Sequence, residues 1–201
     1  VNGQTCITGL CAAGENAGGQ HGADRPGGNA LADSQVFGRR AGESAVNIHS
    51  EADADFVREA AEAGIADLAS TDGGEDVNEI FDDLAWVMWK GASVVRTEES
   101  LSAALRAAED AAGRLENASG SVRRIAEARN LALLGQCVAI PARMRDESRG
   151  THYRADCDSV NDADWQRQIE LTLSEGAVNA QKQDVIEMTG ELAGLEEKLE
   201  G

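Results

Sequence analysis

Apolar residues return at helical spacing through the middle of the chain. Val77, Ile80, Phe81, Leu84, Val87 and Met88 share one helical face. Asp76, with Glu79 three residues on, makes a capping-box-like start to that segment, and Gly91 is its predicted stop. A second stripe of Leu101, Ala104, Leu105, Ala108, Ala112 and Leu115 follows Thr97, a good cap. Glu98 and Glu99 then fall in the first turn, where the helix dipole favours acids. A third helix is predicted over residues 121–147. Val122, Ile125, Leu133, Cys137, Ile140 and Met144 face inward there, and Leu131, Leu134 and Val138 widen the buried arc. Pro141 predicts a kink or a new turn. Three amphipathic helices joined by short polar turns predict an antiparallel bundle.

The flanks are less regular. Residues 53–69 predict a helix with Phe56, Ala60, Ala63 and Leu68 on its apolar side, ended by a Ser/Thr/Asp/Gly breaker at 70–74. Gly150 predicts a helix exit, and residues 151–158 an extended run across the surface. Residues 165–173 and 176–185 read equally as two short strands or as an irregular tail.

The N-terminal run TCITGLCAAGENAGGQHGADRPGGNALADSQVFGRRAG, residues 5–42, is punctuated by glycine. Leu10, Cys11, Ala12 and Ala13 end in Gly14 and Glu15, as a buried parallel strand ends when its backbone must approach a ligand. The Glu15 carboxylate is then offered to hydroxyls at the carboxyl edge of a sheet. Gly27 and Gly28 open a helix with Ala30, Leu31, Val36, Phe37 and Ala41 available for its buried side. Its unpaired amides point back at the glycines and suit a negatively charged group. Between the two elements lies Arg25, a planar, permanently charged fork of donors. Taken singly, glycine runs are flexible loop and an arginine is a surface ion-pair partner; their combination points to a site. His21 reads as a loop hydrogen-bonding residue and His49 as part of a solvated linker.

Composition narrows the classes. The chain of 201 residues carries 36 acidic against 18 basic groups, a net charge of −18, and its lysines are Lys90, Lys182 and Lys198 alone. No basic patch exists to displace counterions, which argues against nucleic acid. With 42% apolar residues and clear periodicity the chain is not a disordered acidic tail. Cys6, Cys11, Cys137 and Cys157 form no Cys-x-x-Cys pair and the histidines show no zinc spacing, so reduced structural thiols are expected and no metal. No apolar run reaches about 18 residues, so no segment predicts a membrane span. Acidic, alanine-rich and lysine-poor composition together predict a salt-adapted, halophilic host, with haloarchaea the natural choice.

GLCAAGENAGGQHGADRPGGNALADSQVFGRRAG resembles the GLxAAGExxGGxHGANRLGGNAL motif of succinate dehydrogenase and fumarate reductase flavoproteins, particularly archaeal-type ones. ESRGTHYRAD, residues 147–156, resembles the ESRGAHYRxD segment that closes their helical domain. L-aspartate oxidase, a sister enzyme, usually has an alanine-serine pair where Gly27 and Gly28 stand and a different residue for Arg154. The resemblance implies an α/β fragment of an FAD-binding domain followed by a mainly α three-helix-bundle domain. Residues 1–48 would be the carboxy-terminal part of the FAD-binding domain and 49–75 a helical linker. Residues 76–157 would form the three-helix domain, with an irregular or short-strand tail over 158–201. FAD is the implied cofactor, bound by Glu15 and by the backbone at Ala30 and Leu31, with Arg25 on a carboxylate of succinate or fumarate. No catalytic residue is implied in this stretch.

Asp24 for the usual Asn and Pro26 for the usual Leu depart from the pattern, and an anion beside Arg25 would compete with substrate for it. Arg149, His152, Tyr153 and Arg154 read as ion-pair packing at a domain junction in preference to chemistry. An iron-sulfur subunit is the implied partner of the complete protein. Localisation would be cytoplasmic, on the cytoplasmic membrane face through partner subunits. The GxGxxG fingerprint, the histidine that carries FAD covalently in many members and the capping domain with its proton-delivering arginine are not in these residues. The expectation is therefore a carboxy-terminal fragment, inactive alone. A non-catalytic helical interaction fragment and L-aspartate oxidase stay open as alternatives.

The net charge carries a direct test. Between about 0.1 M and about 1 M KCl the Debye length falls from about 10 Å to about 3 Å, which screens the self-repulsion of so acidic a chain. The thermal midpoint is expected to climb over that range; a midpoint that falls or stays flat removes the salt-adapted reading.

Overall fold

In the computed structural model, which describes residues 2–25, 27–48, 53–69 and 73–185, the glycine run gives way at Gly28 to α1 (Asn29–Val46). The chain divides into two units, residues 1–70 and 71–201, each taken by itself below.

In the first unit the inward stripe of α1 is Ala30, Asp33, Phe37, Ala41 and Ser44, a clean helical repeat of which Asp33 and Ala41 are buried. The sequence expectation put Leu31 and Val36 on that face, but they are 75% and 47% exposed. The repeat runs through a carboxylate, so apolar pattern alone misassigned it. Nor does 10–13 form a parallel strand. Gln4 and Cys11 make a single antiparallel bridge, and a parallel strand needs a neighbour that no described residue of this unit supplies. Helix α2 (Ala54–Ala69) begins where the Asp53 carboxylate accepts the Asp55 and Phe56 amides at 2.9 and 3.3 Å. Its expected apolar stripe is uncovered: Phe56, Ala60 and Ala63 are exposed and Leu68 is half-buried. His49, Pro26 and the breaker at 70–72 lie outside the described residues.

The second unit is the three-helix bundle. A short strand β1 (Glu75–Asp76) leads into α3 (Val77–Gly91), capped by the Asp76 carboxylate on the Asn78 amide at 2.9 Å. Val77, Ile80 and Leu84 are buried as their spacing predicts. After β2 (Val95–Arg96), Thr97 and Ser100 make a reciprocal capping box at the start of α4 (Glu98–Arg114). Here Leu101, Ala104, Leu105, Ala108 and Leu115 are buried, with Ala111 in place of the expected Ala112. A third two-residue strand, β3 (Ala118–Ser119), pairs parallel with β1 and delivers the chain to α5 (Val122–Met144), capped by Ser121. The helix runs unbroken past Pro141, which sits in its last turn and accepts the Arg145 amide at 3.1 Å.

The buried face of α5 corrects the expectation most. Ile125, Ala128, Ala132, Gly135, Ala139 and Ala142 are buried, whereas Leu134 is 59% and Val138 43% exposed. Small residues line the contact because the helices approach closely. A Cβ on Gly135 would stand 3.0 Å from the Ala108 Cβ and 3.4 Å from the Met88 sulfur.

Residues 151–158 do not cross the surface as an extended run. They hold β4 (Tyr153–Arg154), which pairs parallel with β2 and buries Arg154. The ambiguous end resolves into a helical turn α6 (Asp162–Trp165) and a hairpin of β5 (Arg167–Ser174) and β6 (Ala177–Asp184). Glu175 and Gly176, both with positive φ, form its two-residue turn.

Gly135→Leu should overpack the α4–α5 contact and cost about 2 kcal/mol or more in urea unfolding. Leu134→Ala, at an exposed site, should stay within about 0.5 kcal/mol of wild type. The opposite ranking would restore the large-residue face that the sequence pattern suggests.

Candidate functional site

The glycine-rich unit builds its site from a tight turn and a loop. The Thr5 amide and hydroxyl both donate to the Leu10 carbonyl at 3.0 Å, and the Ala12 amide donates to the Gly3 carbonyl at 2.7 Å. This folds residues 3–12 back on themselves and sets Gly14 at a left-handed φ of 64°. Gly14 is buried against α1, where a Cβ would come within 2.9 Å of the Ser34 hydroxyl. A side chain here would be strained by the left-handed backbone and would displace the Ser34 hydroxyl, and the chain turns at once into the 3-10 segment Gly14–Asn16. Glu15 follows with its carboxylate exposed and no hydrogen bond to any described residue, open to a ligand's hydroxyls.

Arg25 lies on the loop between Gln20 and α1. It is exposed, and among the described residues it makes no ion pair, Asp24 included. The adjacent anion thus leaves the guanidinium free. Beyond it Gly28 caps α1 without a side-chain hydrogen bond, and its carbonyl accepts the Leu31 amide at 3.1 Å. Ala30 is half-buried and Leu31 largely exposed at that end. Sequence reasoning missed Asp33, whose side chain is 5% exposed and takes the Gln20 amide on Oδ1 at 3.3 Å and on Oδ2 at 3.2 Å. His21 Nε2 stands 3.6 Å from the same Oδ2. The missed signal was its place four residues before Phe37 and eight before Ala41.

The ESRGTHYRAD segment is a saturated clasp. Glu147, fully buried, accepts Arg145 at 2.6 Å, Arg149 at 2.7 and 3.0 Å, and the Asn161 amide at 2.7 Å. Burial by itself raises its pKa. The hydrogen bonds from Arg149, the Asn161 amide and Arg145 outweigh that and hold it at about 2. Arg154 binds the two Asp156 oxygens at 2.8 Å each and gives a third nitrogen to the Arg143 and Arg145 carbonyls at 3.1 and 3.3 Å. Asp156 in turn accepts the Glu98 amide at 2.7 Å, at the head of α4, and its pKa is pushed down, chiefly by Arg154.

His152 completes the clasp. Arg96 donates to its Nδ1 at 2.9 Å, so the ring proton is on Nε2, which donates to the Arg145 carbonyl at 3.2 Å. Burial lowers its pKa, as do the charges of Arg96, Arg145 and Arg154, against a smaller rise from the Arg145 carbonyl. Arg96 also closes the end of α3 through the Ser93 carbonyl at 2.8 Å. The charges named here have partners inside the unit, among them carbonyls at the end of α5 and the amide at the head of α4. Tyr153 is exposed beside them.

Known proteins resemble the chain along most of its length. A family model described as fumarate reductase flavoprotein C-term matches residues 81–192. One subunit of the fumarate reductase (CoM/CoB) of Methanothermobacter marburgensis is 38% identical over 180 residues, covering 84% of this chain and 32% of that protein. An uncharacterized FAD-dependent oxidoreductase of Methanocaldococcus jannaschii is 36% identical over 173 residues, covering 83% and 32%. A solved structure of Escherichia coli quinol fumarate reductase superposes with a TM-score of 0.81 at 30% identity, covering 96% of this chain and 36% of that one. The chain spans about a third of the length of the curated relatives it matches.

The clasp makes stability depend on pH in one direction. His152 has a folded pKa below its unfolded value of about 6.5. Its contribution is complete above that pH and is lost as pH falls through the folded value. Glu147 acts later, contributing fully above about 4.3, its unfolded value. That contribution is lost toward about 2. Protonation of surface carboxylates relieves the net charge over the same range, so the informative quantity is wild type minus His152→Gln at fixed salt. That difference in urea midpoint should shrink between pH 7.5 and pH 5, in the range about the unfolded histidine pKa. A constant difference would show that His152 is not held neutral by its arginines.

Proposed function

We propose that this chain, which belongs to the fumarate reductase and succinate dehydrogenase flavoprotein family, carries the flavin-ring and carboxylate side of an FAD-dependent site interconverting succinate and fumarate. The observation that carries the proposal is Arg25: an exposed guanidinium with no ion pair among the described residues, on a glycine loop that leads into the N-terminus of α1. A free fork of donors is what a substrate carboxylate requires, and an arginine already paired could not serve.

The residues fit the group the family uses. The Glu15 carboxylate is exposed and unpaired among the described residues just after the Gly14 turn, suited to the hydroxyls of a ribityl chain. Ala30 and Leu31 stand in the first turn of α1, which has no side-chain cap, and the positive dipole end there suits the electron-rich edge of a flavin ring. Bound there, FAD supplies the hydride acceptor for succinate oxidation and the donor for fumarate reduction. What the chain contributes is positioning: Arg25 fixes one carboxylate of the dicarboxylate and so orients its carbon–hydrogen bonds. Among the described residues no helix is long and apolar enough to cross a membrane. An iron-sulfur subunit is the proposed electron partner, and placement on the cytoplasmic membrane face would come through partner subunits. The acidic, lysine-poor composition supports a salt-adapted, haloarchaeal host.

In the FAD-loaded enzyme, Arg25→Ala should lower kcat/KM for fumarate and succinate by about 100-fold or more, equivalent to about 2.7 kcal/mol. Flavin content, read from absorbance after desalting, should be unchanged. Undiminished turnover would remove Arg25 from the substrate, and L-aspartate oxidised in preference to succinate would move the enzyme to the sister activity.

A further inference from the structure

Asp33 is a carboxylate where the packing of α1 calls for an apolar group. Its neighbours on the inward stripe are Ala30, Phe37 and Ala41, and at 6% relative exposure it is among the few buried polar residues of the described chain. Removing a carboxylate from water is costly unless hydrogen bonds replace the solvent, and a leucine would occupy the same stripe without that cost. Both of the side chains that answer Asp33 come from the far end of one loop. Gln20 Nε2 donates to its two oxygens at 3.3 and 3.2 Å and to the Ala17 carbonyl at 3.2 Å, and His21 Nε2 stands 3.6 Å away.

Those contacts close a loop whose middle is Arg25. The intervening chain has glycine at Gly22, Gly27 and Gly28, which free the backbone on either side of Arg25 and Pro26. Arg25 has no hydrogen bond or ion pair of its own among the described residues. Where its guanidinium points is therefore governed by how the two ends of the loop are held.

We propose that Asp33 is a positioning residue for substrate: its buried carboxylate clamps Gln20 and His21 to α1 and so presents the Arg25 guanidinium to a dicarboxylate. The inference rests on the reading of Arg25 as the substrate-binding arginine. The clamp touches neither substrate nor flavin, and acts by narrowing the ensemble of a glycine-rich loop before the ligand arrives.

Three variants test it. Asp33→Leu fills the apolar stripe and removes the clamp, Gln20→Ala removes it from the loop side, and Asp33→Glu keeps a carboxylate within reach. In the FAD-loaded enzyme the first two should raise KM for succinate and fumarate about tenfold, with kcat changed far less and flavin content equal to wild type. Asp33→Glu should recover part of the loss. In the chain itself, amide hydrogen exchange over residues 21–28 should quicken in Asp33→Leu and Gln20→Ala while exchange along α5 stays as in wild type. If Asp33→Leu unfolds the unit, Gln20→Ala decides alone. KM and loop exchange both unchanged in Gln20→Ala, with Arg25→Ala still raising KM, would overturn the clamp. If Arg25→Ala leaves KM unchanged, the substrate reading fails instead, and faster loop exchange in Gln20→Ala would still establish the closure.

Discussion

The helical unit turns on one guanidinium. Arg154 is almost wholly buried, and its nitrogens satisfy carbonyls at the end of α5 and both oxygens of Asp156, which in turn takes an amide at the head of α4. Helix ends are where backbone groups lack partners and where dipoles place a negative pole and a positive pole. A cation at the first and an anion at the second answer both at once. Arg96 with His152 does the same for the end of α3, and Glu147 gathers Arg145, Arg149 and the Asn161 amide behind them. Arginine suits this role because its planar fork reaches several carbonyls and stays charged at any relevant pH. Trp165 closes the corner, buried between the Lys182 ammonium at 3.4 Å and the Arg145 guanidinium at 4.9 Å from its ring centroid, with its indole N–H on Asp146.

The glycine-rich unit uses charge in the opposite way. Its buried carboxylate, Asp33, is matched by loop side chains, while Glu15 and Arg25 stand in solvent without partners among the described residues. A saturated charge stabilises a fold and has nothing left for a ligand. An unsatisfied one can bind a ligand and contributes little to folding. The same residue types in the two sequence motifs thus have separate uses: in the second they hold helices together, and in the first they are free for the flavin and dicarboxylate proposed here.

Legibility followed the same division. Asp76, Thr97 and Ser121 were readable as helix starts because a cap is a local contact between a side chain and the next turn's amides. Val77, Ile80, Leu84, Leu101 and Leu105 were readable as core because they recur at helical spacing along one face of α3 and of α4. On α5 the pattern misled. Apolar residues occur all round that helix, and which of them face inward was decided by how closely α4 approaches, a distance only Ala108 and Gly135 together define. Residues 151–158 looked extended because their polarity says nothing of the carbonyls of α5 and the amide of α4 that they meet. The hairpin could not be chosen from periodicity, since its strands bury few residues on either face.

The sequence by itself determined where the helices of the bundle begin, which glycines open the loop and α1, and which two motifs carry the family likeness. Those properties are local, encoded in caps, breakers and short spacings. The tertiary structure alone decided that Ala and Gly line α5, that Arg154 is a clasp between helix ends, and that a buried Asp33 meets Gln20 and His21 from within an apolar stripe. Each of these depends on groups far apart in the chain, and a carboxylate or an arginine takes its role from whatever surrounds it once water has been removed.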